Sequence, residues 1–375
     1  MEIQIEVKKL HAELSLALSI VESKATIPIL SNLLLRAEGN EVEIAATDLE
    51  VTFKSKCPAE VIQPGAITVP ARRFGAIVRA FLNEEAPLVL KTTPDQKLFL
   101  QPAGQRNEYH LQTLPEEDFP ALMTPSPETA VTVDTALFRK CAEEVLISAG
   151  NENSRFSVRG ALMEIGPDGV TMVATDSHRL TCSSYPMKTG VDQPVRVLVP
   201  KKTLVEVLNL EGDNGLNMWL ESNHIFFELG PRLIYSRLLD TTFPAYEKVI
   251  APETDKVAVV DKMSFLERVK RVAMVAESKN RAVVFSFDAE GKLEMSVRNP
   301  ETGDEGKEYE ACESFDGEAV TVGFNVDFVI EFLNVCKEEK ISIKMKDPEH
   351  QSLFEPVLEN GEGSHKYVVM PLRLD

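Results

Sequence analysis

The chain has 375 residues, 43% of them hydrophobic and 26% charged, with a formal net charge of −19. That is enough apolar material for several cores of ordinary size, and the excess acid argues against a protein that binds nucleic acid over its whole surface. Five cysteines (Cys57, Cys141, Cys182, Cys312, Cys336), odd in number and without a Cys-x-x-Cys spacing, speak against a disulfide framework and a zinc site.

In chain order, Glu2–Leu10 reads as a short strand entering a helix through Leu14, Leu16 and Leu18. The apolar run from Leu14 to Val21 is too short to cross a bilayer, so a soluble, cytoplasmic chain is expected. Gly39–Asp48 follows as a glycine turn and a strand of period two, with Val42, Ile44 and Ala46 on one face. Gly65–Phe81 is a strand ending at Pro70 and a helix with Phe74, Ile77, Val78 and Phe81 on one stripe. Proline suits the first turn of a helix, where its missing N–H would go unpaired in any case.

After the polar, proline-bearing segment Met123–Thr129 the order starts again. Ala130–Phe138 enters a helix through Cys141, Val145 and Leu146; Asp168–Asp176 carries Val170, Met172 and Ala174; Val195–Leu208 turns from strand to helix at Pro200. After Ala251–Asp255 it starts a third time. Lys256–Phe265 enters a helix through Val269, Val272 and Val275, Glu290–Asn299 carries Leu293, Met295 and Val297, and Ala319–Leu333 repeats the strand and helix without a proline. The residues that close the repeated strands, Asp48, Asp176 and Asn299, lie 128 and 123 apart. A repeat of that length exceeds a solenoid unit and points to three copies of one α+β domain, over residues 1–125, 129–250 and 256–375. Internal symmetry of this kind suits a scaffold better than an enzyme with one cleft.

The chemistry that the chain lacks narrows the function. It has no Gly-x-x-x-x-Gly-Lys-[Ser/Thr] loop, no Gly-x-Gly-x-x-Gly, no His-Glu-x-x-His and no nucleophile elbow. Its six histidines never fall at metal-ligand spacing, so neither a metal nor a cofactor is expected. Thr175-Asp-Ser-His-Arg-Leu180 sets Asp, Ser and His side by side, but a triad assembles from separate segments and three neighbours cannot all face one centre. The first copy reads Thr47-Asp-Leu-Glu-Val51 there, which favours a structural or binding turn. The acid is also unevenly spread. Residues 71–82 carry Arg72, Arg73 and Arg79 against no acid, residues 201–210 carry Lys201 and Lys202 against Glu206, and residues 261–281 carry six bases against three acids. Basic helical faces on an acidic chain suit DNA held on one surface.

Across its whole length the chain resembles the bacterial sliding clamps, the β subunits of the replicative DNA polymerase III. The resemblance rests on Thr26-Ile-Pro-Ile-Leu-Ser-Asn-Leu-Leu-Leu35, Ala46-Thr-Asp-Leu-Glu50, Thr68-Val-Pro-Ala-Arg72, Asp118-Phe-Pro120, Ala174–Leu180, Phe243-Pro-Ala-Tyr246, Gly323-Phe-Asn-Val326 and Tyr367-Val-Val-Met-Pro-Leu-Arg-Leu374. It implies three clamp domains per chain and a head-to-tail homodimer closed into a ring, with helices lining a central hole and antiparallel sheets outside. Such a ring encircles double-stranded DNA without reading its sequence, is loaded by an ATP-driven clamp loader, and tethers replicative and repair polymerases through short peptides. It has no catalytic centre. The second reading is an α+β enzyme that reuses the fold with Asp176 and His178 as acid and base.

The resemblance also implies site residues. The peptide pocket matches Val158, Thr175, Ser177, His178, Arg179, Leu180, Pro244, Lys248, Val249, Phe328, Ser352, Val368, Val369, Met370, Pro371, Leu372 and Arg373. Ser177 stands where the family commonly has Gly and Phe328 where it usually has Tyr, while Asp375 extends the tail past Leu374. DNA-facing positions match Lys24, Arg72, Arg73, Arg155, Lys201 and Lys202, with Ser157 in place of an aromatic. At the dimer interface Tyr109 and Leu111 are expected to meet Met274 and Val275 of the other chain, because the strand Tyr109–Thr113 would otherwise keep an open edge.

Overall fold

The structure is a computed structural model and describes residues 1–22, 26–124, 126–150, 158–212, 215–277, 279, 281–300, 302–358 and 363–373. Helices α1 (Val7–Ile20), α2 (Ala71–Ala80), α3 (Thr135–Leu146), α4 (Lys201–Leu208), α5 (Lys262–Ala273) and α6 (Val326–Val335) come two to each expected copy. The strands between them form four antiparallel sheets among the described residues. The chain gathers into two compact units, Met1–Thr135 with Lys202–Leu238, and Ala136–Lys201 with Leu239–Asp375. The central copy is divided between them, and backbone pairing is the reason.

Each copy contributes two half-sheets. In the first unit, Gly65–Pro70, Asn32–Glu38, Glu41–Thr47 and Val51–Pro58 run on into Arg232–Arg237, His224–Leu229, Leu216–Glu221 and Val131–Val133. The joint is antiparallel pairing of Val51–Pro58 with Arg232–Arg237, Ser55 opposite Arg232. In the second unit Val195–Pro200, Gly160–Gly166, Gly169–Thr175 and Arg179–Pro186 run on into Ser364–Val369, Ser352–Pro356, Lys340–Met345, Lys256–Asp261 and Ser314–Asp316. Here Ser183 lies opposite His365. Two half-sheets end without such a joint. The sheet containing Lys97–Pro102 stops at Tyr109–Gln112, and the one containing Lys292–Arg298 stops at Glu305–Ala311.

The repeated strands bury the faces read from their period. Val42, Ile44, Ala46, Val170, Met172, Ala174, Leu293, Met295 and Val297 are all inside. Helix α1 buries Val7, Leu10, Leu14, Ala17 and Ile20 at helical spacing; Leu16 and Leu18, expected on its inner face, are half-buried at its flanks. It packs on α2 and on the strands Val51–Pro58 and Glu41–Thr47. A side chain at Gly75 of α2 would meet the end of the Leu18 side chain at 2.6 Å, so α1 and α2 pack closely there. Pro70 is the residue that caps α2 rather than one within its first turn, and it supplies no side-chain acceptor. In the third copy Asp261 and Asn325 do supply one, to the backbone N–H of Ser264 and Asp327 at 2.8 and 3.0 Å.

Both joints bury a carboxylate under the paired strands, and they balance it differently. In the first, Glu13 of α1 takes Nε and Nη2 of Arg232 at 3.0 and 2.9 Å and the Ser55 hydroxyl at 2.5 Å. In the second, Glu144 of α3 takes the hydroxyls of Ser183 and Tyr185 and faces His365, whose Nδ1 is 3.6 Å from Oε1. Cys336 lies 3.8 Å from the same imidazole nitrogen, and the ion pair of Lys140 with Glu338 stands nearby. Burial pushes the Glu144 carboxyl up to about 7, against the lowering effect of Ser183, Tyr185 and Lys140. Burial also pushes the His365 imidazole down to about 3, against the pull of Glu338.

The two shifts act on folding with opposite sign. A raised carboxyl favours the fold below its ordinary 4.5 and loses that advantage as pH rises through about 7. A depressed imidazole favours the fold above its ordinary 6.5 and loses that advantage as pH falls toward about 3. Between these ordinary values folding moves one proton from the imidazole to the carboxyl, and the net dependence nearly cancels. Glu144→Gln, left with the imidazole alone, should therefore lose stability as pH falls below 6.5 toward 3. His365→Asn should lose it as pH rises from 4.5 to 7, each by about 3–5 kcal/mol, and the double variant should return to a flat profile. Urea denaturation at a series of pH values measures this; slopes of the same sign in the two single variants would refute it.

Candidate functional site

The turn between Gly169–Thr175 and Arg179–Pro186 is built from side chains that replace backbone partners. Asp176 Oδ1 accepts the backbone N–H of His178 and of Arg179, both at 3.0 Å, and the Thr175 hydroxyl accepts from Ser177 N–H and donates to the Arg179 carbonyl. Ser177 sits at φ 78°, a left-handed conformation that glycine adopts freely and that costs a side chain about 1 kcal/mol. The first copy folds the same turn, with Asp48 Oδ1 accepting from Glu50 and Val51 and Leu49 at φ 76°. Asp176 is thus committed on both oxygens, since Oδ2 takes Arg179 Nε at 2.9 Å, while the His178 side chain is exposed. Asp176 binds the backbone of His178, an arrangement for shaping a turn rather than for moving a proton.

Arg179 is mostly buried and serves three elements. Its Nη1 reaches Glu331 of α6 at 2.6 Å and the Tyr367 hydroxyl at 3.2 Å, and its guanidinium lies 4.1 Å from the Phe328 ring centre. Tyr367 stacks on Phe332 and donates to the Phe328 carbonyl at 3.0 Å; burial pushes its phenol up, so the donor proton stays in place. Beside this cluster Val158, Leu180, Val249 and Val368 pack into one apolar group with Leu162, Tyr246 and Leu353. Ser352 and Val369 are fully buried. Pro244 and Lys248 are exposed on the segment where Val249 N–H bonds the Tyr246 carbonyl at 2.8 Å.

The C-terminal segment is held by its backbone. Met370 N–H donates to the His178 carbonyl at 2.9 Å and Leu372 N–H to the Gly323 carbonyl at 2.8 Å. Met370 and Arg373 stay exposed, with Pro371 and Leu372 half-buried. The seventeen residues expected in the pocket therefore fall in one unit, and four of them, Val158, Leu180, Val249 and Val368, pack into one apolar strip beside the Arg179 guanidinium. Glu331, Tyr246, Leu353 and the bridging role of Tyr367 were missed by sequence reasoning. Arg179 and Tyr367 are 188 residues apart, and no local pattern links them.

The other expected sites fare less evenly. Arg72 and Arg73 are exposed in the first turn of α2. Lys201 and Lys202 begin α4 but are engaged within the chain, Lys201 with the Ala149 carbonyl at 3.0 Å and Lys202 in an ion pair with Asp48. Cations gain nothing from the positive end of a helix dipole, so helix stability does not account for bases at these starts. Lys24, Arg155, Ser157 and Asp375 lie outside the described residues. Of the four interface positions, Tyr109 (42%) and Met274 (81%) are exposed. Leu111 is buried in its own sheet and Val275 packs partly on its own core, so both spend apolar surface inside the chain. Tyr309, exposed on the open strand Glu305–Ala311, is a position the sequence did not suggest.

Family models of the DNA polymerase III beta subunit match the chain three times, the N-terminal domain at residues 1–123, the central domain at 132–245 and the C-terminal domain at 247–373. The beta sliding clamp of Pseudomonas putida is 30% identical over 377 residues and that of Caulobacter vibrioides 31% over 380, each match covering the whole of both chains. The crystal structure of the DNA polymerase III subunit beta from Pseudomonas aeruginosa is similar over the whole of both chains, with a TM-score of 0.90 at 29% identity.

Proposed function

The chain belongs to the DNA polymerase III β-subunit family, the bacterial sliding clamps, and on that premise we propose that two copies close head to tail into a ring that encircles duplex DNA and tethers polymerases to it. The observation that carries this reading is the pairing pattern of the half-sheets. Arg232–Arg237 of the second copy pairs with Val51–Pro58 of the first, and Ser364–Val369 of the third pairs with Arg179–Pro186 of the second. By the same repeat the strands left over are Tyr109–Gln112 of the first copy and Glu305–Ala311 of the third. A third joint of the same kind has to be made between chains, first copy to third, and a heterologous contact whose rotation closes gives a ring.

The remaining features fit a non-catalytic ring. The Asp176 turn is tied up structurally, so we assign no acid–base role to it or to His178. ATP chemistry belongs to a separate loader, and polymerases and repair proteins bind by short peptides along the apolar strip of Leu180, Val249 and Val368. No helix of the described residues is long and apolar enough to cross a membrane. All five cysteines are unpaired, which suits the cytoplasm, where DNA is copied. Arg72 and Arg73 are the bases we assign to the DNA-facing surface.

Two outcomes are expected. Tyr109→Asp with Met274→Asp should convert a two-chain species into single chains in sedimentation velocity, because each change places a charge where ~1.5–3 kcal/mol of apolar burial is expected; an unchanged mass would reject the interface. Hold on DNA should be topological more than electrostatic. Every phosphate contact steepens the log–log salt dependence by about 0.9, so an open-groove binder would be stripped by a high-salt wash. A ring loaded on a nicked circle should survive the wash and leave once the circle is cut. Equal salt loss from circular and linear DNA would exclude a ring.

A further inference from the structure

Resting on the peptide strip assigned above, we propose that Glu331 is a positioning residue for that strip, holding the Arg179 guanidinium over the Phe328 ring so that turn, helix and C-terminal strand form one rigid wall. Arg179 meets Asp176 in the turn, Glu331 on α6 and Tyr367 on Ser364–Val369, while the fourth contact, its flat face, is spent on Phe328. Glu331 is one helical turn beyond Phe328 and itself half-exposed, so it reaches inward to the guanidinium from the rim. A planar guanidinium held at Nε, at Nη1 and across its face is fixed in orientation.

The other joint of the chain supplies the comparison. The turn at Thr47–Val51 is bonded like that at Thr175–Arg179, and α4 starts after its strand as α6 does. Matched through turn, helix start and strand register, Val51 stands for Arg179, Thr203 for Phe328, Ile234 for Tyr367 and Glu206 for Glu331. Glu206 there bonds Ser19 and Asn209 instead. The joint thus folds without arginine, phenylalanine or tyrosine at these places. Fold formation alone does not call for the cluster in the second unit, and it stands beside the apolar group of Leu180, Val249 and Val368.

The test is a mutant cycle on the full-length chain, reading fluorescence anisotropy of a labelled synthetic peptide copied from the C-terminal tail of the replicative polymerase, with melting temperature and sedimentation as controls. Glu331→Gln should weaken the peptide roughly tenfold, the scale of one charge-assisted hydrogen bond, and Glu331→Asp should recover part of the loss. Arg179→Ala should weaken it at least as much, and adding Glu331→Gln to Arg179→Ala should cost nothing more, because Glu331 acts through the arginine. Should Arg179→Ala not fold, Tyr367→Phe replaces it in the cycle by removing one hydroxyl from the same bridge. Wild-type affinity in Glu331→Gln, or losses that add in full, would overturn the proposal. A wild-type chain that does not bind the peptide would instead overturn the strip itself.

Discussion

An exposed strand edge presents a row of N–H and C=O groups that must find partners, and every copy in this chain makes two half-sheets that each end in such an edge. Two of these demands are met internally, where Arg232–Arg237 and Ser364–Val369 complete the sheets of the copies before them. The rest of the architecture follows from that joint. It divides the central copy between two compact units, brings the turn at Asp176 next to a C-terminal strand from another copy, and leaves one edge at each end of the chain's series of copies. The apolar group around Leu180 and Val368 and the two edges left without a joint are results of one rule, that a half-sheet completes itself with the next copy.

A carboxylate under each joint shows how the same place tolerates different chemistry. Burying an ion alone is expensive. Glu13 is neutralised by a permanent cation, Arg232, and needs nothing further. Glu144 has only hydroxyls and an imidazole, and it answers by holding a proton at the pH where ordinary carboxyls have lost theirs. The first solution is an ion pair and the second a neutral cluster. They reach matching serines, Ser55 and Ser183, from different places on their helices, Glu13 from the second turn of α1 and Glu144 from nearly a turn later on α3.

Much of this was legible in the sequence because repetition multiplies weak signals. The alternation of Val42, Ile44 and Ala46 means little alone; its return at Val170 and Leu293 fixed three copies, and the buried faces agree. The turn at Asp176 was readable as structural because Thr47-Asp48 lacks its Ser and His. Long-range chemistry was not readable. Nothing near Glu331 says that it meets Arg179, 152 residues away, and nothing near Lys202 says that Asp48 already holds it. Leu111 and Val275 were expected at an interface because the strand Tyr109–Thr113 has an open edge; the alternation did not say how much of either side chain its own core already covers. Leu16 and Leu18 missed the core for a simpler reason, since spacing of two belongs to strands and α1 is a helix.

The joints are not of equal length. The one in the second unit pairs six residues with six and the one in the first unit five with five, while Tyr109–Gln112 offers four. A zipper with fewer teeth parts first. A seam made on Tyr109–Gln112 would thus carry fewer backbone bonds than either joint within the chain, and under strain it would part before them.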